Sequence, residues 1–295
     1  MDLIKEYNHE AKEDFYVLLI DKLKENIDIF NEYRIENIVI KSNVDSSDEK
    51  NIDLRLLVKY KFLKKLSIAS LYHISLEGLE KLTTLEMLHL YPLSGQKVDF
   101  SSLKNIKNLF IKYTKNIIGL ENLTMLERIT IHDATSQILD DFISLKKLKR
   151  LELVRPKFEN TKFLSKLKNL KCLFLYQVAT KSQIDIKDIT NSKDSLIHLK
   201  LQLCRNIVGF DSIKDLKQLI RLQIIDSTPL PSANFVNELP KLTTLTVIRK
   251  SYFEDGNLDD LKKIEYVTID NKKHYSLKKK DLENENFPPP IECCQ

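Results

Sequence analysis

The sequence predicts an α/β coil: a right-handed solenoid lined by a parallel sheet of about eleven short strands and closed at its N-terminal end by a helix. Three observations carry this prediction. One apolar phrase recurs eleven times along the 295 residues at a spacing near 22. Within the phrase, apolar residues step by three, three and two, a period that belongs to neither a helix nor a strand alone. Residues 9–30 instead repeat apolar side chains at helical spacing.

From the N-terminus, HEAKEDFYVLLIDKLKENIDIF (9–30) places Phe15, Leu18, Leu19, Leu23 and Ile27 on one helical face and is read as an amphipathic capping helix. The recurring phrase then begins. Its second apolar position falls at Ile38, Leu66, Leu88, Leu109, Ile129, Leu151, Leu173, Leu199, Leu222, Leu245 and Val267, with intervals of 28, 22, 21, 20, 22, 22, 26, 23, 23 and 22. The step of two, as in Leu151 to Leu153, is a strand pointing alternate side chains inward. The steps of three, Leu145 to Leu148 to Leu151, belong to the segment that turns the chain into that strand. Return segments add a second inward set, such as Phe158, Phe163 and Leu164. Each unit is too small to bury its apolar face alone, so neighbours must stack. Polar insertions at 41–53 and 190–195 account for the two long intervals. The last stretch, KKKDLENENFPPPIECCQ, has no repeat and three adjacent prolines, and is read as a loosely held tail. The expected divisions are thus 1–34 for the helical cap, 35–272 for the solenoid and 273–295 for the tail.

The phrase L-x-x-L-x-L at this period resembles the leucine-rich repeat family. The resemblance covers residues 35–270, and the short repeat is most similar to the bacterial internalin-type and phosphatase-regulator-type members. It implies a horseshoe whose strands line a concave, partner-binding face, with short 3₁₀ or irregular returns. One departure stands out. The family's Asn or Cys three residues beyond the last leucine is matched only by Asn43 and Cys204. The hydrogen-bonded ladder it forms is therefore expected to be missing, and the turn after each strand to be less regular.

Composition narrows the function. The chain is 42% hydrophobic and 30% charged, with no apolar run long enough to span a membrane. Its N-terminal stretch is charged throughout, unlike a Sec signal peptide. Only five glycines occur, and no phosphate loop, serine-hydrolase, zinc-protease or paired-cysteine motif is present. Cys172, Cys204, Cys293 and Cys294 are unevenly spaced, so neither a zinc site nor a disulfide framework is expected, and a reducing, cytoplasmic setting is the simplest reading. The carboxylate pairs Asp140–Asp141 and Asp259–Asp260 fall in turning segments and are read as solvated turn residues. No catalytic residue, metal ligand or cofactor is assigned.

The surface that the strands display is the informative part. In x-L-x-L-x, the three x positions point away from the core. Across the repeats they hold seven basic residues (Lys41, Lys65, Lys112, Arg128, Arg150, Lys200, Arg221) and two acidic ones (Glu152, Asp270), an excess equal to the formal net charge of +5. Three of the eight arginines lie there, with Tyr91, Phe110, Phe174, Tyr176 and Tyr266. Arginine and exposed aromatic rings mark protein interfaces. The expectation is a non-enzymatic scaffold gripping an acidic protein surface through Tyr91, Phe110, Arg128, Arg150, Phe174, Tyr176, Lys200 and Arg221. Bacterial recognition, inhibitor, immunity or effector roles enter only through the resemblance. The competing reading is nucleic-acid binding by the same basic stripe, with phosphates on the cations and bases stacked on the rings. A charge of +5 and a pI of 8.7 are modest for that purpose.

Overall fold

The computed structural model describes residues 4–9, 12–19, 22, 24–41, 52–68, 74–91, 95–178, 182–282, 284 and 286–291. Most of the polar insertion at 41–53, His73, Leu23, Cys293 and Cys294 lie outside the described residues. The chain forms two compact units, Met1–Ile129 and Thr130–Gln295. The boundaries read from the repeats, 34/35 and 272/273, mark where the array begins and ends and stand as our proposal for the domain limits.

In the first unit, β1 (Lys5–Asn8) pairs antiparallel with β2 (Glu13–Leu19). Beyond β2 the pairing is parallel through β3 (Asn37–Lys41), β4 (Lys65–Ile68), β5 (Met87–Leu90) and β6 (Asn108–Lys112). Strand β7 (Arg128–His132) lies at the division. The second unit continues with β8 (Arg150–Val154), β9 (Cys172–Tyr176), β10 (His198–Gln202), β11 (Arg221–Ile225), β12 (Thr244–Ile248) and β13 (Tyr266–Ile269), each parallel to the next.

Register follows the apolar phrase. Ile38, Leu66, Leu88 and Leu109 align in the first unit; Leu151, Leu173, Leu199, Leu222, Leu245 and Val267 align in the second. All of them are buried. A slip of one residue would drive the charged outward positions into this column, which is why the pairing is unique. The returns are short 3₁₀ helices, among them Lys162–Lys166, Phe210–Asp215 and Asp259–Lys263.

The N-terminal helix requires correction. Residues 13–19 form a strand, and the helix is confined to Ile27–Glu32. The spacing of Phe15, Leu18 and Leu19 suits a helical face, but Phe15 and Leu18 are both fully buried and, in a strand, point to opposite faces. Val17 and Leu18 pair with Val39 and Ile40, so β2 satisfies the backbone groups that β3 would otherwise leave open. The short, charged β1 then forms the outer edge, a composition that discourages pairing with another chain. The brief helix packs Phe30 against Tyr60, with ring centroids 5.5 Å apart.

The turns after the strands are also more regular than expected. Asp133, Arg155, Gln177, Leu203, Asp226 and Arg249 each follow a strand of the second unit or the division and have φ between 48° and 67°. That left-handed corner aims the backbone N–H of the first five at the terminal carbonyl of the next strand, as in Arg155 N to Tyr176 O at 2.9 Å and Leu203 N to Ile225 O at 2.9 Å. A ladder exists as well, built from smaller residues. Cys204 N–H donates to Ser227 Oγ at 3.0 Å, and Ser227 N–H donates to Ser251 Oγ at 2.8 Å. Two serine hydroxyls thus accept the links that join three consecutive repeats.

Part of the expected tail is packed. Tyr275 is buried, and its Oη accepts the Phe253 N–H at 2.9 Å; Ser276 Oγ accepts the Leu258 N–H at 2.9 Å. These side chains satisfy backbone donors that have no further repeat to pair with.

Candidate functional site

The outward side chains of the second unit form rows across its parallel strands. The first row is Arg150, Cys172, His198, Arg221, Thr244 and Tyr266; the second is Glu152, Phe174, Lys200, Gln223, Thr246 and Thr268. Tyr176 stands in the third, beside Val154 and Gln202. In-register pairing brings matching positions within reach of one another, so residues far apart in sequence become a lattice. Arg150 Nη2 donates to Glu152 Oε2 at 2.9 Å, and its guanidinium lies 5.0 Å from the centre of the Phe174 ring. Lys200 Nζ sits 5.0 Å from the centre of the Tyr176 ring. Phe174 meets His198 edge-on at 4.6 Å, and His198 Nε2 is 3.1 Å from Gln223 Oε1. Both cation–ring contacts hold long side chains in place against a π face.

Burial sets the electrostatics. Desolvation pushes the His198 pKa down to about 4, with Arg221, Lys200 and Arg150 adding repulsion against the protonated ring. The Lys200 pKa is lowered by burial and partly restored by Glu152; that of Arg221 is lowered by burial alone. His198 Nδ1 and Arg221 Nε are buried without a hydrogen-bond partner among the described residues. Arg221 Nη2 donates to the Pro289 carbonyl at 2.6 Å. Five expected residues, Arg150, Phe174, Tyr176, Lys200 and Arg221, therefore share one face of the second unit.

The others belong to the first unit. Tyr91 and Phe110 have ring centroids 5.3 Å apart, and His89 lies 4.1 Å from Phe110, so three rings cluster there. Arg128 opens β7 and is half-buried. The basic stripe itself is partly cancelled: Lys41 is ion-paired with Glu6, Lys65 with Glu13, and Arg150 with Glu152. Glu6 and Glu13 were invisible to a reading that made residues 9–30 a helix, because only β1 and β2 carry them onto the sheet. Asn37 Nδ2 also donates to Glu13 Oε2, at 2.7 Å.

The cysteine expectation changes too. Cys172 is disulfide-bonded, whereas Cys204 is free and buried, its thiol pKa pushed up to about 11 by desolvation. The uneven spacing of the four cysteines carried no signal that marked Cys172. Among the described residues there is no group of three or more His, Cys, Asp or Glu that could hold a metal ion, and no helix is long and apolar enough to cross a membrane.

No protein-family model and no curated protein matches the chain. Solved structures do. An internalin, InlF of Listeria monocytogenes, superposes with a TM-score of 0.55 at 17% identity, covering 81% of this chain and 69% of that one. The functional domain of InlJ from the same organism gives 0.48 at 16% identity over 80% and 62%. The plant peptide hormone receptor RGFR1, solved in complex with RGF2, gives 0.43 at 14% identity over 72% and 36%. The likeness to InlF, with the repeat register above, shows the fold: a leucine-rich-repeat solenoid of internalin type.

Proposed function

We propose that this leucine-rich-repeat chain is a non-enzymatic binding scaffold that grips an acidic surface of a partner protein through the strand face of its second unit. The observation that carries the reading is the lattice of cations set against rings: Arg150 on Phe174 and Lys200 on Tyr176. Such side chains lose little further freedom on binding, and desolvated arginine and aromatic groups supply much of the energy of protein interfaces. The Tyr91–Phe110 cluster and Arg128 are a second candidate patch, on the first unit. The cytoplasmic setting expected from the cysteine spacing is not part of this proposal, because Cys172 is disulfide-bonded.

Nucleic-acid binding is disfavoured by the ion pairs. Glu6, Glu13 and Glu152 neutralise three of the seven basic residues that would have met phosphates.

The test is a pair of full-length proteins, the natural chain and Arg150→Ala/Lys200→Ala, compared for binding to proteins captured from source cells. The double substitution should weaken the captured partner by more than about 2 kcal/mol, with moderate salt dependence. Full affinity in the variant would overturn the site. A salt slope as steep as that of multiple phosphate contacts would overturn the protein-partner reading.

A further inference from the structure

Positive charge is concentrated in one stretch of the chain. Residues 145–171 carry eight lysines, two arginines and two glutamates, a net of +8 where the whole chain is only +5. The remaining residues are therefore net acidic, at −3. Folding neutralises both arginines: Arg150 pairs with Glu152 at 2.9 Å and Arg155 with Asp133 at 3.0 Å. Lys146, Lys166, Lys168 and Lys171 are exposed and have no ion pair among the described residues. They lie in the turning segments ahead of β8 and β9, on the flank of the second unit rather than on its strand face.

Stacking gathers them into a patch. The Lys171 N–H donates to Lys149 O at 2.8 Å, Asn169 Nδ2 to Lys146 O at 3.1 Å, and Ser195 Oγ to Lys168 O at 2.8 Å. The backbone that carries the ammonium groups is thus fixed, with like charges one strand spacing, about 5 Å, apart. Between them lies an open recess of about 550 Å³, lined by Ile143, Lys146, Ser165, Lys166, Lys168 and Asn191 among others. Among the described residues, no carboxylate and no aromatic ring lines it.

The flank of the first unit handles its charges differently. There Glu36, Lys64, Glu86 and Lys107 alternate in sign at the position just ahead of the successive strands β3 to β6. Lys64 pairs with Glu36 and Lys107 with Glu86, each at 2.7 Å, and all four line a recess of about 400 Å³. Like charges at neighbouring positions instead repel. The second unit's flank therefore carries a repulsion that an anion from outside would relieve.

The side chains indicate what kind of anion. Lysine is a hydrated point charge without a fixed fork, suited to a field of phosphates, and it is depleted in protein interfaces. Ile143, beside the ammonium groups, is 49% exposed. A nucleic-acid backbone offers nothing apolar to that side chain, and the recess has no ring on which a base could stack. The headgroup region of a bilayer takes both, the cations at its phosphates and an aliphatic side chain at the acyl boundary.

We propose that this lysine flank is a docking surface for an anionic lipid membrane, with a headgroup phosphate in the recess between Lys146, Lys166 and Lys168 and Ile143 at the acyl boundary. None of the strand-face residues takes part, so the site stands or falls apart from the partner-binding reading.

Vesicle co-sedimentation of the full-length chain tests it. The protein should bind vesicles of phosphatidylcholine with phosphatidylserine and leave pure phosphatidylcholine vesicles unbound. Lys146→Ala/Lys166→Ala/Lys168→Ala should weaken that binding at least about tenfold, at an unchanged melting temperature because all three side chains are exposed. Ile143→Ser should weaken it several-fold at constant charge. Lys61→Ala/Lys64→Ala/Lys107→Ala removes the same charge from the ion-paired recess of the first unit and should weaken it far less. Equal losses in the two triple variants would mean attraction by net charge alone and would overturn the site, as would equal binding to both kinds of vesicle. Tighter binding to a DNA duplex than to the anionic vesicles would overturn it too, the ligand then being a nucleic acid.

Discussion

Lys65 is ion-paired with Glu13, fifty-two positions upstream, because β2 lies against β3 and β3 against β4. The same carboxylate accepts from Asn37. Glu13→Ala should cost about 1 kcal/mol, since the pair is partly exposed and one hydrogen bond goes with it. Urea midpoints measure this. An unchanged midpoint would mean that residues 13–19 are not held on the sheet.

The aligned leucine column supports the second unit. Leu151 and Leu173 are 0% and 1% exposed and lie in register. Leu173→Ala should cost about 2–5 kcal/mol through lost burial and the cavity left behind, and Leu151→Ala a similar amount. A chemical-denaturation midpoint that did not move for either would contradict the stacking.

Two glycines separate conformational strain from crowding. Gly209 and Gly95 have φ of +83° and +90°. A methyl group at Gly95 would meet nothing within 4 Å among the described residues, whereas at Gly209 it would lie 2.2 Å from Asp185 Oδ1. Gly95→Ala should cost about 1–2 kcal/mol, the left-handed penalty alone. Gly209→Ala should cost more, because Asp185 must also move. Equal losses in parallel melts would show that the contact is soft.

Acid should destabilise the protein through His198. Its pKa is near 4 in the folded chain, against an ordinary value of 6.5. Between those values the unfolded chain holds the proton and the folded chain does not, so stability is whole above about pH 6.5 and falls as the pH drops towards 4. From pH 7 to 4.5 the loss should be about 2–3 kcal/mol. In His198→Gln the difference between those two pH values should shrink by that amount. Identical pH profiles would place the imidazole in water.

The repeat and its register were legible because they are local. A step of two selects the strand, the recurring phrase selects the stack, and one residue of slip would bury charge; hence Leu151 pairs with Leu173, and Arg150, Phe174 and Lys200 share a face. Other features depended on backbone groups left open by distant parts of the chain. Phe15, Leu18 and Leu19 have helical spacing, and the open edge of β3 decided for the strand. Ser227 and Ser251 became ladder residues only because left-handed corners brought Cys204 N–H and Ser227 N–H to their hydroxyls. Pro289 met Arg221 because a proline segment with no N–H to pair carries its carbonyl to a half-buried guanidinium. Side-chain period is written residue by residue, whereas contacts across tens of residues are selected by which donors and acceptors the folded chain still has to satisfy.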